Sequence, residues 1–318
     1  MAMKYRSLFI RRVAGVLFAL SIGFAAMSAA TGHAATNPKQ ATKEAPWENS
    51  LGMKFVPVPG TDVLFCIWHT RVQDFAAFAK AVEGARAVNG QEVAKDWQTP
   101  FPKTRVRTEE FKQEPTHPAC NVSWDEAQAF CQWLTKKEHV EGKLPADMRY
   151  RLPTDAEWSV VVGLGPENGK TPRDKNWKTE GYPWGAQMPP TKGAGNFCGE
   201  ENRKSKYETR LIVGYDDGFK YTSPVGSFSA NAFGLYDMTG NVWQWCEDLF
   251  DPPVPARVLR GSAWCTTDPF YLKSSCRTAA PPDSHYNFNG FRCVLAPVAA
   301  TALSHLPETD HASQKNTP

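Results

Sequence analysis

The sequence predicts a single α+β domain, loop-rich and with little regular secondary structure. Three observations predict it. Apolar residues recur at helical spacing in only three short stretches, all before residue 164. Beyond that point glycine, proline, asparagine, aspartate and aromatic residues dominate, a composition that suits short strands joined by ordered loops. The chain also carries 11 Trp and 25 Pro in 318 residues, which fits loops pinned by large buried rings.

The chain opens with Lys4, Arg6, Arg11 and Arg12, followed by an apolar run from Val13 to Ala30 and then small residues that allow cleavage after Ala30 or Ala34. That order reads as a secretory signal peptide over residues 1–34, with an uncleaved membrane anchor as the other reading. Residues 35–45 read as a linker, 46–297 as the globular domain, and 298–318 as a disordered tail, being polar and without periodicity. About 250 residues suffice to bury a sizeable core. The expected location is therefore secreted or periplasmic. Residues 1–34 hold four basic and no acidic residues of the chain's 36 and 33, so the mature part carries a net charge of −1. That balance argues for neither a nucleic-acid partner nor, after signal cleavage, a membrane surface.

Within the domain, Asp74 is placed to cap a helix with Phe75, Phe78, Ala79 and Val82 on one face. Ser123 and Glu126 have capping-box spacing ahead of Ala127, Phe130, Cys131 and Leu134. Thr154 and Glu157 repeat the box before Trp158, and residues 85–118 read as an insertion loop. All eight cysteines lie in the mature part, an even number that allows disulfides in an exported chain. No Cys-x-x-Cys occurs, the seven histidines lack metal-ligand spacing, and no phosphate-binding or dinucleotide fingerprint is present.

Seven segments in order carry a resemblance. They are Asn49-Ser-Leu-Gly-Met-Lys-Phe-Val-Pro-Val-Pro-Gly60, Asn121-Val-Ser-Trp-Asp-Glu-Ala-Gln-Ala-Phe-Cys-Gln-Trp-Leu134, Arg151-Leu-Pro-Thr-Asp-Ala-Glu-Trp158, Tyr182-Pro-Trp-Gly185, Phe233-Gly-Leu-Tyr-Asp-Met-Thr-Gly-Asn-Val-Trp-Gln-Trp245, Arg257-Val-Leu-Arg-Gly261 and Gly290-Phe-Arg-Cys293. Together they resemble the formylglycine-generating enzyme family, also called the sulfatase-modifying-factor domain, from about residue 48 to 297. The resemblance implies a C-type-lectin-like fold with a shallow surface groove. It also implies an enzyme that oxidises a sulfatase cysteine to formylglycine with oxygen and copper held by two cysteines. Copper(I) prefers soft thiolates. In the family that pair stands five residues apart, just after an Arg-Gly-Gly-Ser-aromatic segment. Here Arg260-Gly-Ser-Ala-Trp-Cys265 holds one cysteine, one position early, and Phe270, Tyr271 and Leu272 stand around the second place. The family's pocket serine falls at Ala263, and its pocket asparagine near Phe288 or Asn289.

If the chain is active, the resemblance gives the catalytic role to Cys265, Trp243 and Arg260. The departures point instead to a domain that lacks the copper site and binds a protein or peptide ligand in its groove. A formylglycine-generating oxidase with an altered site, or an oxidoreductase acting on a small molecule, are the alternatives. The resemblance further implies a disulfide between Cys131 and Cys293, while Cys265 and Cys276 flank a loop short enough to be bridged. The cofactor it implies is calcium. A first set comprises the side chains of Asn196 and Asp217 with the carbonyls of Phe197 and Phe219. A second comprises the side chains of Asp237 and Gln244 with the carbonyls of Gly240 and Val242. Calcium takes six to eight oxygens, many from loop carbonyls.

Overall fold

The computed structural model describes residues 35–82, 111–203 and 210–298. The signal-peptide reading, the tail from 299 onward and most of the proposed insertion loop lie outside the described residues. Among the described residues nine strands run in chain order: β1 (Trp47–Glu48), β2 (Lys54–Pro57), β3 (Leu64–Cys66), β4 (Met148–Arg151), β5 (Trp243–Leu249), β6 (Arg257–Arg260), β7 (Thr278–Ala280), β8 (Asn289–Gly290) and β9 (Val294–Pro297). The helices are α1 (Val72–Val82), α2 (Trp124–Val140), α3 (Asp155–Val161) and the single turn α4 (Pro172–Lys175). The architecture is α+β and loop-rich.

Two sheets organise the chain. The first has the order β1-β2-β3-β9-β4, all antiparallel, so the last strand lies between β3 and β4. The second has the order β7-β6-β5-β8, with β8 parallel to β5 and β7 at an edge. Residues 35–45 are ordered against the domain. Pro38 is buried in a 3-10 turn capped by Asn37, Lys39 pairs with Asp147 at 2.6 Å, and the Ala35 N–H donates to Pro46 O.

Both capping boxes form. Ser123 Oγ accepts the Glu126 N–H at 3.1 Å and Glu126 accepts the Ser123 N–H at 2.9 Å, which starts α2. Thr154 and Glu157 do the same for α3, and Arg151 clamps Glu157 through both guanidinium nitrogens at 2.8 and 2.6 Å. Each such cap is worth about 1 kcal/mol. Asp74, expected at the cap of α1, lies one turn inside it. The helix begins at Val72, and the Asp74 carboxylate reaches back to the Arg71 N–H at 2.9 Å. Phe75 and Phe78 of α1, Phe130 of α2 and Phe291 beside β9 form one ring cluster, with centroids 5.3–6.1 Å apart. This cluster joins the helices to the segment between β8 and β9. Elsewhere two loops touch at Gly240: a Cβ there would stand 2.5 Å from the Asn196 carbonyl, and its φ of +79° suits only glycine.

Candidate functional site

A cleft of about 640 Å³ opens over the second sheet. Every strand of that sheet contributes to it: Trp243 of β5, Leu259 of β6, Thr278, Ala279 and Ala280 of β7, and Asn289 of β8. One wall is the loop Cys265–Asp268 with Tyr271, and the other is Pro281, Tyr286 and Phe288. Hydrogen bonds hold the walls in place. The Trp243 N–H donates to Phe288 O at 2.8 Å, Trp264 Nε1 donates to Asn287 O at 3.1 Å, and the Ala263 N–H donates to Thr266 Oγ1 at 3.0 Å. Tyr286 stacks on Phe288 with centroids 5.1 Å apart and planes 13° apart.

Of the residues proposed from sequence as catalytic, Trp243 and Cys265 meet in this cleft. Arg260 does not. Its guanidinium is fully buried, donates to the carbonyls of Ser274 and Cys276 and to Asp155, and lies 4.2 Å from the Trp158 ring. The reason is strand alternation. Leu259 lines the cleft, so its neighbour Arg260 points to the other face of β6. There Arg260 belongs to a charge network in which Asp155 also accepts from Arg277, and Arg277 donates to Glu167 at 2.6 Å. Burial pulls the Asp155 carboxyl up, but Arg260 and Arg277 outweigh it and hold it below the usual range.

Cys265 is half-buried and is the one cysteine among the residues lining the cleft. Phe270, at the family's second thiolate position counted from Cys265, is 42% exposed, and Tyr271 forms part of the wall. Cys276 is buried. Its sulfur accepts from Trp177 Nε1 at 3.3 Å, and burial pushes its thiol up to about 11. Cys131 and Cys293 are both buried, with sulfurs 3.6 Å apart, a van der Waals contact. A donor set with one soft ligand in the cleft does not fit copper held by two thiolates.

Beyond these, the motif comparison placed Tyr271, Phe288 and Asn289 at the site, and sequence reasoning missed the remaining lining residues. Thr278, Tyr286 and the other lining residues come from segments joined only by the folded sheet, and no local spacing announces them. Asn289, which lies near the family's pocket asparagine, is 1% exposed, and neither carboxamide atom has a hydrogen-bond partner among the described residues.

The first calcium set fits a cation. Asn196 is fully buried, its Nδ2 donates to Tyr221 O at 2.8 Å, and its Oδ1 is buried without a partner among the described residues. The Asp217 carboxylate accepts from the N–H groups of Phe197 at 2.7 Å and Phe219 at 2.9 Å. Burial, aided by the nearby charges of Glu201 and Asp216, pushes Asp217 up to about 7. A buried carboxylate short of positive charge beside an orphaned oxygen is the electrostatic signature of a cation site. Among the described residues no three His, Cys, Asp or Glu side chains converge on one point, so a cation here leans on carbonyl and carboxamide oxygens. The second set does not fit. Gln244 Oε1 already accepts from Arg292 Nε at 2.6 Å, and its Nε2 donates to the Asp237 carbonyl at 3.2 Å. A guanidinium on that oxygen repels a second cation, although Asp237 Oδ1 is buried and without a partner among the described residues.

A loop-rich α+β domain of two sheets with a cleft over the second defines a C-type-lectin-like protein. Residues 30–297 match the family described as "Sulfatase-modifying factor enzyme 1-like domain". The chain belongs to the formylglycine-generating enzyme, or sulfatase-modifying-factor, family. It is 29% identical over 204 residues to the formylglycine-generating enzyme of Thermomonospora curvata, covering 58% of this chain and 57% of that protein. Against the formylglycine-generating enzyme of Mus musculus it is 30% identical over 212 residues, covering 61% and 46%. The inactive C-alpha-formylglycine-generating enzyme 2 of Mus musculus is also 30% identical, over 210 residues, covering 62% and 56%. The chain thus spans about half the length of the curated relatives it matches. Among solved structures it is similar to PvdO from Pseudomonas aeruginosa, with 21% identity, a TM-score of 0.49, and coverage of 82% of this chain and 89% of that one.

Proposed function

We propose that the chain works outside the cytoplasm as a binding or accessory domain, holding a protein or peptide segment in the cleft, and that it does not perform the family's copper reaction. One observation carries this reading: the cleft is lined by a single thiol, Cys265, with aromatic residues where the second ligand belongs. The basic start, apolar run and small residues of positions 1–34 support export. Similarity leaves the choice of chemistry open, because relatives named as generating enzymes and a relative named inactive are equally similar. Calcium is proposed at the first oxygen set alone, around Asn196 and Asp217, where it would neutralise a buried carboxylate and fix two loops.

The test incubates copper-loaded mature protein with oxygen, a reductant and a peptide containing Cys-x-Pro-x-Arg, and follows the product by mass spectrometry. No aldehyde is expected. Aldehyde that forms with this protein and disappears in Cys265→Ser would sink the proposal and support the oxidase reading.

A further inference from the structure

One wall of the cleft is fastened to the start of α2, and the fastening includes an ionisable pair. The wall is the segment 281–288, which supplies Pro281, Tyr286 and Phe288. Its backbone is tied to residues 121–125. The Trp124 and Asp125 N–H groups donate to Pro282 O at 2.9 and 3.3 Å, and the Asn121 N–H donates to Tyr286 O at 2.9 Å. On the strand side the Asn289 N–H donates to the same Tyr286 oxygen at 3.0 Å.

One side-chain pair reinforces these bonds. His285 Nε2 lies 3.0 Å from Glu126 Oε2, the oxygen that also accepts the Ser123 N–H in the capping box of α2. A single carboxylate oxygen therefore both starts the helix and holds the wall. The two side chains are sheltered, at 19% and 9% exposure, so water and salt screen the pair weakly.

The surroundings of the ring decide its charge. Besides Glu126, the Asp283 backbone carbonyl accepts a hydrogen bond from it. A carboxylate and a carbonyl can only accept, and an imidazole that donates from both nitrogens carries a positive charge. The neutral ring keeps one donor and must give up one of the two bonds. Among the described residues, Glu126 on α2 and Asp283 on the ring's own segment are the charged groups that bear on it, and both are acidic. The bond to Glu126 raises the ring above its usual range; burial opposes this, and the Glu126 charge and the Asp283 carbonyl add to the rise.

We propose that His285 and Glu126 form a proton-operated clasp on the cleft: the protonated ring holds segment 281–288 against α2, and loss of the proton loosens the wall that carries Tyr286 and Phe288. The clasp acts on the cleft whatever the cleft holds. Its sign follows from the raised histidine. The stabilisation is complete below about pH 6.5 and is lost as the pH rises through the higher value of the folded state. On the acid side it ends where Glu126 itself takes up a proton.

Hydrogen exchange on the ligand-free mature protein, corrected for the intrinsic rate at each pH, tests this together with a histidine NMR titration. The resonance missing from His285→Gln identifies the ring, which should titrate above about 6.5. The Asn121, Trp124 and Asn289 amides, all bonded to the wall or closing it, should lose about threefold in protection between about pH 6 and about pH 8.5, the loss expected for one sheltered ion pair. His285→Gln keeps a donor without a charge, and Glu126→Gln keeps the capping box; in both, the protection of these amides should no longer depend on pH. His285 titrating at or below about 6.5, protection that is equal at the two pH values, or a fall that is as large in both variants as in the parent protein overturns the clasp. None of these measurements involves a cleft ligand, so the binding reading above stands or falls separately.

Discussion

Cys131 Sγ and Cys293 Sγ touch at 3.6 Å, although they lie 162 positions apart in the chain. One is on α2 and the other immediately precedes β9, so the contact ties the first half of the domain to its last strand. Burial first, and then its neighbour's sulfur, hold the Cys293 thiol well above the usual range.

Oxidation during folding is the first prediction. In an oxidising compartment the pair should be found bonded, and closing so long a loop adds about 5 kcal/mol on the chain-entropy model. Reduction should then lower Tm by about 10 °C or more. Non-reducing peptide mapping checks it; recovery of either cysteine as a free thiol in folded, exported protein would count against it. The same maps report whether Cys265 and Cys276 are bridged.

Calcium is the second prediction. A ligand at a hundred times its Kd that binds only the folded chain stabilises by about 2.7 kcal/mol, so chelation should lower Tm and Asp217→Ala should abolish the response. Gln244→Ala should leave the response to calcium intact, since that side chain is engaged by Arg292. The pH dependence has a definite sign. The Asp217 carboxyl is raised from 3.8 to about 7, so with chelator present its contribution is complete below pH 4 and is lost as the pH rises through 7. Calcium should flatten that decline. Melting curves from pH 4 to 8, with and without the metal, that run parallel would refute the assignment.

The buried charge network is the third. Replacing Arg260 by Ala leaves Asp155 in the core with one guanidinium instead of two, and should cost about 3–5 kcal/mol. Urea unfolding should show the loss as a lower midpoint with an unchanged slope. A loss below about 1 kcal/mol would mean that Arg277 alone satisfies the carboxylate.

What was legible in the sequence was local. Ser123 with Glu126 and Thr154 with Glu157 announce their helices because a capping box closes within four residues. The start of α1 is not visible in the sequence, because the apolar stripe begins at Phe75 whereas the helix is anchored upstream, where the Val72 N–H bonds to the distant His117 O. Eight of the nine described strands have two to four residues, too short for an alternation to register, and the seven-residue β5 is buried without alternation over its first four positions, so neither sheet could be read. Arg260 was drawn toward the site by its place in a motif; only the pairing of β6 shows that the residue facing the cleft is Leu259. The motif order carried the family, and through it Trp243 and Cys265, whereas Thr278 and Tyr286 reach the cleft only once the second sheet has formed.

The position of β9 makes the first sheet depend on contacts of long range. The strand that completes the first sheet is the last of the described strands in chain order, and it enters between two neighbours separated by more than eighty residues, Leu64–Cys66 on one side and Met148–Arg151 on the other. Until Val294–Pro297 is available those two strands have no bridge, and Phe291 is missing from the aromatic cluster on α1 and α2. A nascent chain that has not reached Val294–Pro297 therefore lacks this bridge. Contacts of this range fold slowly, and a chain cut short by even a dozen residues before Pro297 would lose the strand that bridges β3 and β4, together with Phe291 of the aromatic cluster.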